Sequence, residues 1–181
     1  MRMIVGLVLC LFSVPALASA FSLSSPQVTN GGYVPDQQVY SGFGCQGGNT
    51  SPALSWINPP DGTKSFAITV YDPDAPTGSG WWHWVIFNIP PTVSSLPAGA
   101  GDADGHLAPS GAIQSRTDYG TDGYGGPCPP VGDTPHRYLF TIYALNVDKL
   151  PLTSDASAAM VGFYIRQHML GSAKITALYG R

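Results

Sequence analysis

Two apolar runs without a polar face dominate the middle of this chain. Phe66 to Tyr71 is β-branched and aromatic and stops abruptly at Asp72-Pro73, and Trp82 to Ile89 is a second such run that stops at Pro90-Pro91. Runs of this composition bounded by Pro and Asp read as strands. In the second, Val85, Phe87 and Ile89 alternate with Trp82, Trp84 and Ile86, so both sides are covered and the strand is predicted to be central. A third run, Tyr138 to Leu145, follows His136-Arg137 directly.

The flanking segments are less regular. Phe21 to Tyr40 mixes short apolar pairs with Asn30-Gly31-Gly32 and Pro35-Asp36, a pattern of edge strands and a turn. Ser41 to Ser51 is a Gly-rich loop carrying Cys45; no Gly-Lys-Ser/Thr follows, so it is not a phosphate-cradling loop of the nucleotide-binding kind. Ser51 to Trp56 begins a strand that ends at the turn Pro59-Pro60-Asp61-Gly62. Residues 90 to 135 are rich in Gly, Pro, Asp and Ser and predict an irregular region, ordered by Cys128 and the rigid Pro127 to Pro130 segment. One helix is predicted after the third run, capped by Ser154 or Asp155, with Ala156, Ala159, Met160, Phe163 and Gln167/Leu170 on its face and Gly171 at its stop. Met160 and Phe163 are expected in the core, and Ala173 to Tyr179 as a last strand.

The first twenty residues read as a signal peptide. Arg2 is their only charge, Met3 to Phe12 is a short apolar core, and Ala16 to Ala20 supplies small residues for cleavage after Ala20. The core falls well short of the ~20 apolar residues a membrane span needs, so no transmembrane segment is expected in the mature chain. Leu9 before Cys10 does not fit a lipoprotein signal. The expectation is a bacterial periplasmic or secreted protein with one domain, 21–181.

Charge narrows the partners. All eleven acids are Asp, and without Arg2 seven Lys/Arg remain, a net charge of −4. No basic stripe is present to displace counterions, which argues against nucleic acid, and the same deficit argues against anionic membranes. Cys45 and Cys128 remain after loss of Cys10; in an oxidising compartment an isolated pair most simply forms a disulfide, two buried thiols being the alternative.

Chemistry concentrates at Asp72 to His83, Asp-Pro-Asp-Ala-Pro-Thr-Gly-Ser-Gly-Trp-Trp-His. Alone, Asp-Pro-Asp-Ala-Pro is a turn. If the three runs pair antiparallel, however, Asp72 and Asp74, His83 and His136 meet at one edge of the sheet. Together with Asn49-Thr-Ser-Pro-Ala-Leu-Ser-Trp56, Asn88, the Gly126 to Tyr138 block with its paired prolines and Met160-Val-Gly-Phe163, this stretch resembles the phosphatidylethanolamine-binding protein family, also called Raf kinase inhibitor-like, in its bacterial YbhB/YbcL-type branch. The resemblance implies a mostly β fold, a central antiparallel sheet packed on a smaller sheet with a C-terminal helix. It also implies an anion pocket formed or bordered by Asp72, Asp74, Trp81, His83, Pro130, His136 and Tyr138, with no cofactor or required metal. Cys128 stands where animal members carry a glycine, which alters the local pocket wall.

Such a set suits a phosphate-bearing small molecule or a phospholipid headgroup, with imidazoles, a phenol and loop amides as donors. At least one Asp is assigned to orient a His, and its charge favours the protonated ring. Trp81 is a candidate for cation–π contact with an ammonium. A protein partner, such as a protease or kinase that is modulated or inhibited, is a further expectation from the resemblance. Two Asp and two His also suit a divalent metal and hence a small hydrolase, but no His-x-x-x-His spacing is present, and neither is a Gly-x-Ser-x-Gly elbow. His106 and His168 lie outside these blocks, and His168 is expected at the surface or as a packing residue.

Overall fold

Phe66 to Tyr71 lacks a polar face because it runs through the middle of a sheet covered on both sides. The computed structural model describes residues 20–181, so the expected leader lies outside the described residues but for Ala20. In chain order the strands are β1 (Ser22–Ser24), β2 (Ser41–Gly42), β3 (Cys45–Gln46), β4 (Leu54–Ile57), β5 (Ser65–Asp72), β6 (Trp81–Ile89), β7 (Ser95–Leu96), β8 (Ile113–Gln114), β9 (His136–Leu145) and β10 (Met169–Tyr179), with helix α1 (Ala158–His168) before β10. A five-stranded antiparallel sheet runs β10-β9-β5-β6-β8, and a smaller one runs β1-β4-β7.

The two-residue period assigns the faces. Phe66, Ile68 and Val70 of β5 join Phe140, Ile142 and Ala144 of β9 and Trp84 and Ile86 of β6 in a core with Leu54, Trp56 and Leu96 of the small sheet. On the other face, Ala67, Val85, Phe87 and Leu145 pack against Ala158, Val161 and Ile165 of α1. The central sheet therefore lies between a smaller sheet and one helix.

Between β5 and β6 the register slips. Val70 faces Trp84, but Tyr71 faces Trp82 and Asp72 faces Trp81, which leaves His83 as an extra residue in β6. A second slip, between Phe66 facing Ile89 and Ile68 facing Ile86, contains Asn88, held at φ 60°. Asn tolerates this left-handed position better than most residues, and its side chain accepts from Leu150 N at 2.8 Å, tying β6 to the segment before the helix. Bulges of this kind re-aim side chains and recur at sheet edges.

The helix departs from expectation. Ser157 caps it, its hydroxyl accepting from Met160 N at 3.2 Å, so neither Ser154 nor Asp155 is the cap. The buried stripe is Ala158, Val161 and Ile165, whereas Met160 and Phe163 are 48% and 56% exposed and do not join the core. The slimmer side chains meet the sheet, which leaves the larger apolar ones facing outward. Gly171 does not stop the helix; the chain enters β10 at Met169, and Gly171 sits in that strand beside a register shift. Ser41 to Ser51 is also more ordered than expected, forming the short β2–β3 hairpin.

Candidate functional site

Alternation carries two of the predicted residues to one place. Asp72 extends the face of Phe66, Ile68 and Val70, and His136 extends the face of Tyr138, Phe140 and Ile142; β9 starts at His136 itself. His83 would point to the helix side in an unbroken strand. The bulge turns it, and Trp81 with it, to the side of Asp72. Gly80, at φ 69°, makes the turn before Trp81 possible, since a Cβ there would collide with the Tyr71 hydroxyl.

Asp72, Trp81, His83, Pro130, His136 and Tyr138 line one pocket of about 210 Å³, with Cys128 in its wall. Asp74 does not line it. Its carboxylate turns outward to Arg137, accepting from Nη2 at 2.6 Å, Nε at 2.8 Å and the Arg137 backbone N at 2.9 Å. That guanidinium holds the Asp74 carboxyl down at about 2. Pro73 breaks the strand after Asp72, so alternation no longer governs position 74. Asp74 instead ties the end of β5 to the start of β9.

The buried polar groups differ in what they leave free. His136 is 4% exposed, and its Nδ1 lies 2.8 Å from Asp72 Oδ2 while its Nε2 lies 3.3 Å from Asp133 Oδ2. The ring donates both bonds only when it carries both protons. Asp72, 2% exposed, also accepts from Asp74 N through Oδ1 at 2.8 Å. The assignment of one Asp as an orienting group thus falls on Asp72.

His83 behaves differently. Its Nδ1 donates to the Gly125 carbonyl at 2.7 Å, which leaves Nε2 bearing a lone pair. Burial pushes its pKa down to about 4, against the upward pull of that carbonyl and of Asp72. Desolvation outweighs both of those pulls at this ring.

Two donors on the lining lack partners among the described residues: the buried Tyr138 Oη and Trp81 Nε1. Burial pushes the Tyr138 phenol well up, so its proton stays. Sequence reasoning missed Tyr119, Phe43, Pro129 and the turn residues Ala75 to Thr77, which complete the lining. Tyr119 donates to Gly126 O at 2.7 Å, stacks on Tyr40 with centroids 4.2 Å apart and sets its ring edge-on to Trp81 and His83. Its loop has no period to read; the local signal is an aromatic beside Asp118, whose carboxylate accepts from Trp82 N at 2.7 Å.

The remaining wall is tethered. Cys45 and Cys128 are bonded across 83 residues. Arg181 donates to Pro129 O at 2.6 Å and to Phe43 O at 3.2 Å. Among the described residues, no group of three His, Cys, Asp or Glu is arranged to hold a metal ion, and no helix is long and apolar enough to cross a membrane.

A family model described as phosphatidylethanolamine-binding protein matches residues 24–180. The chain is 51% identical over 177 residues to the UPF0098 protein YbcL of Escherichia coli, covering 98% of this chain and 97% of that one. It is 49% identical over 158 residues to E. coli YbhB, covering 87% and 98%. A putative lipoprotein of Mycobacterium tuberculosis, LppC, is 34% identical over 162 residues, covering 90% and 73%. The crystal structure of E. coli YbcL, described as a new member of the mammalian PEBP family, superposes with a TM-score of 0.89 over 90% of this chain and 99% of that one.

Proposed function

This chain belongs to the phosphatidylethanolamine-binding protein family, and from that membership we propose that it is an exported binding protein whose pocket takes a phosphate-bearing group, free or as a phospholipid headgroup. The observation that carries the reading is the pair of unpartnered donors, Tyr138 Oη and Trp81 Nε1, on a small pocket beside the buried Asp72–His136 pair. A buried donor without a partner costs about 1–3 kcal/mol, which an oxyanion oxygen would recover. At about 210 Å³ the pocket is below the roughly 300–1,000 Å³ typical of drug-sized ligands, so it suits a headgroup and leaves any acyl chain outside. The family's matching model is that of a binding protein, and the pocket residues are assigned to binding rather than turnover.

Export is supported by the leader-like sequence of residues 1–20, by the Cys45–Cys128 bond and by the lipoprotein relative. A second reading, docking of a protein such as a protease that the chain would inhibit, is favoured by an exposed aromatic on the lining and an exposed apolar residue that follows Pro130 in sequence. Phe43 on the lining is 68% exposed, and Val131, next to Pro130, is 77% exposed.

The test is an NMR titration with phosphoethanolamine followed at the His83 and His136 rings. Saturable shifts at both are expected, with affinity about tenfold or more weaker in Tyr138→Phe, the loss of one hydrogen bond to a charged group. Unmoved rings, or an affinity indifferent to Tyr138→Phe, would remove the anion pocket and leave the docking surface as the function.

A further inference from the structure

Resting on the phosphate-pocket reading, we infer that the pocket selects a phosphoryl group that still carries a proton, a hydrogen phosphate or its monoester, over tetrahedral anions of the same shape that carry none. Hydrogen-bond capacity on the lining sets this preference. Tyr138 Oη, which neighbours the Asp72 carboxylate, and Trp81 Nε1 make no hydrogen bond of good geometry and are the donors the lining has left to offer. Tyr119 Oη is engaged by Gly126 O, and both nitrogens of His136 face carboxylates. His83 has Nδ1 committed to Gly125 O, so the neutral ring presents an acceptor at Nε2 and needs a donor from the ligand. The complementary group offers two acceptor oxygens and one O–H, as P–OH does.

Charge points the same way. The lining contains no Lys or Arg. Arg137 is paired with Asp74, and Arg181 donates to backbone carbonyls behind the wall. The groups facing His83 are Asp72 from β5, Asp118 and Tyr119 from the loop after β8, and His136 and Tyr138 from β9. Its one candidate cation besides His83, the His136 ring, lies between the Asp72 and Asp133 carboxylates, which offset it. A dianion is therefore poorly matched, and a ligand proton both lowers the charge brought in and supplies the bond to His83. His83 does not provide that proton near neutral pH, because burial holds its pKa near 4. Phosphate monoesters lose theirs at a pH of about 6, whereas sulfate has none to offer in this range.

The experiment measures affinity of the disulfide-intact protein for inorganic phosphate, sulfate and dimethyl phosphate between pH 5.5 and about 8, spanning the phosphate's second ionisation. At the acid end, phosphate is expected to bind at least about tenfold tighter than sulfate or dimethyl phosphate, a gap of about one hydrogen bond. That preference should shrink toward higher pH as the ligand ionises. In His83→Gln, whose amide can donate, sulfate should gain relative to phosphate. Vesicles carrying phosphatidate, a lipid monoester, separate the sources: capture of phosphate alone places the ligand in solution, and capture of both admits a lipid. Equal binding of sulfate and phosphate by the wild-type protein would overturn the inference while leaving the anion pocket standing. A pH dependence shared by sulfate would overturn it too, because the titrating group would then belong to the protein. If none of the anions binds the folded protein, the pocket reading itself fails and this inference with it.

Discussion

His83 is 2% exposed and neutral in the fold, and that has a cost in acid. Its folded pKa, about 4, lies below the ordinary 6.5, so between those values the unfolded chain binds the extra proton. Stability from this residue is therefore fully present above pH 6.5 and drains as pH falls toward 4, by on the order of 3 kcal/mol. Urea midpoints measured from pH 7 to pH 4 should fall more steeply for the wild type than for His83→Gln, whatever that variant's stability at pH 7; parallel profiles would show that His83 is not the residue protonated on unfolding. Asp72 and His136 were legible because strict alternation runs through to the strand ends. His83 was legible only as a member of the motif, since period two alone sends it to the wrong face and nothing in Trp81-Trp82-His83-Trp84 announces the extra residue. Asp74 was misplaced because Pro73 ends the alternation and Arg137, adjacent in the fold, claims the carboxylate.

Among the elements, the three long strands were readable because each is two-sided or continuous in its apolar pattern, and their pairing followed from that. Two apolar stripes overlap in this segment, Ala156-Ala159-Met160-Phe163 and Ala158-Val161-Ile165, and size favoured the first; the helix buries the second, and Ala156, which precedes the helix, packs against the same cluster. Ser157 competes with Ser154 and Asp155 as a capping residue of the same class, so the sequence does not mark where the helix begins. The energetic consequence separates the two readings. Ile165→Ala should cost about 2–5 kcal/mol as a cavity under the central sheet. Met160→Ala and Phe163→Ala should stay within about 0.5 kcal/mol, as surface changes do. Denaturant midpoints of these three variants decide the matter; a large loss at Phe163 with none at Ile165 would mean that the helix is rotated.

At the scale of the molecule, the pocket joins two parts of different legibility. Its floor is the ends of β5, β6 and β9, whose order comes from burial on both faces. Much of its wall, besides Phe43 and the turn Ala75 to Thr77, comes from the region from 90 to 135, which holds only the short strands β7 and β8 and was predicted as irregular for want of any period. That wall stays in place through discrete tethers: Gly125 N to His83 O at 2.8 Å, Asp118 N to Trp82 O at 3.1 Å, and the bond from Cys128 to Cys45. A crosslink closing a loop of 83 residues restricts the unfolded chain and stabilises the fold by about 4 kcal/mol in the chain-entropy account. The double change Cys45→Ser with Cys128→Ser should therefore lower unfolding stability by up to about that amount. Because Cys128, Pro129 and Phe43 belong to the wall while the strand ends do not depend on the bond, the folded variant should keep its sheet core and lose affinity for phosphate. Amide exchange resolved along the chain checks this directly, with faster exchange expected at residues 42–46 and 125–132 and unchanged protection in β5 and β9. If protection were lost evenly across the sheet, the disulfide would be stabilising the fold as a whole rather than setting the shape of the pocket.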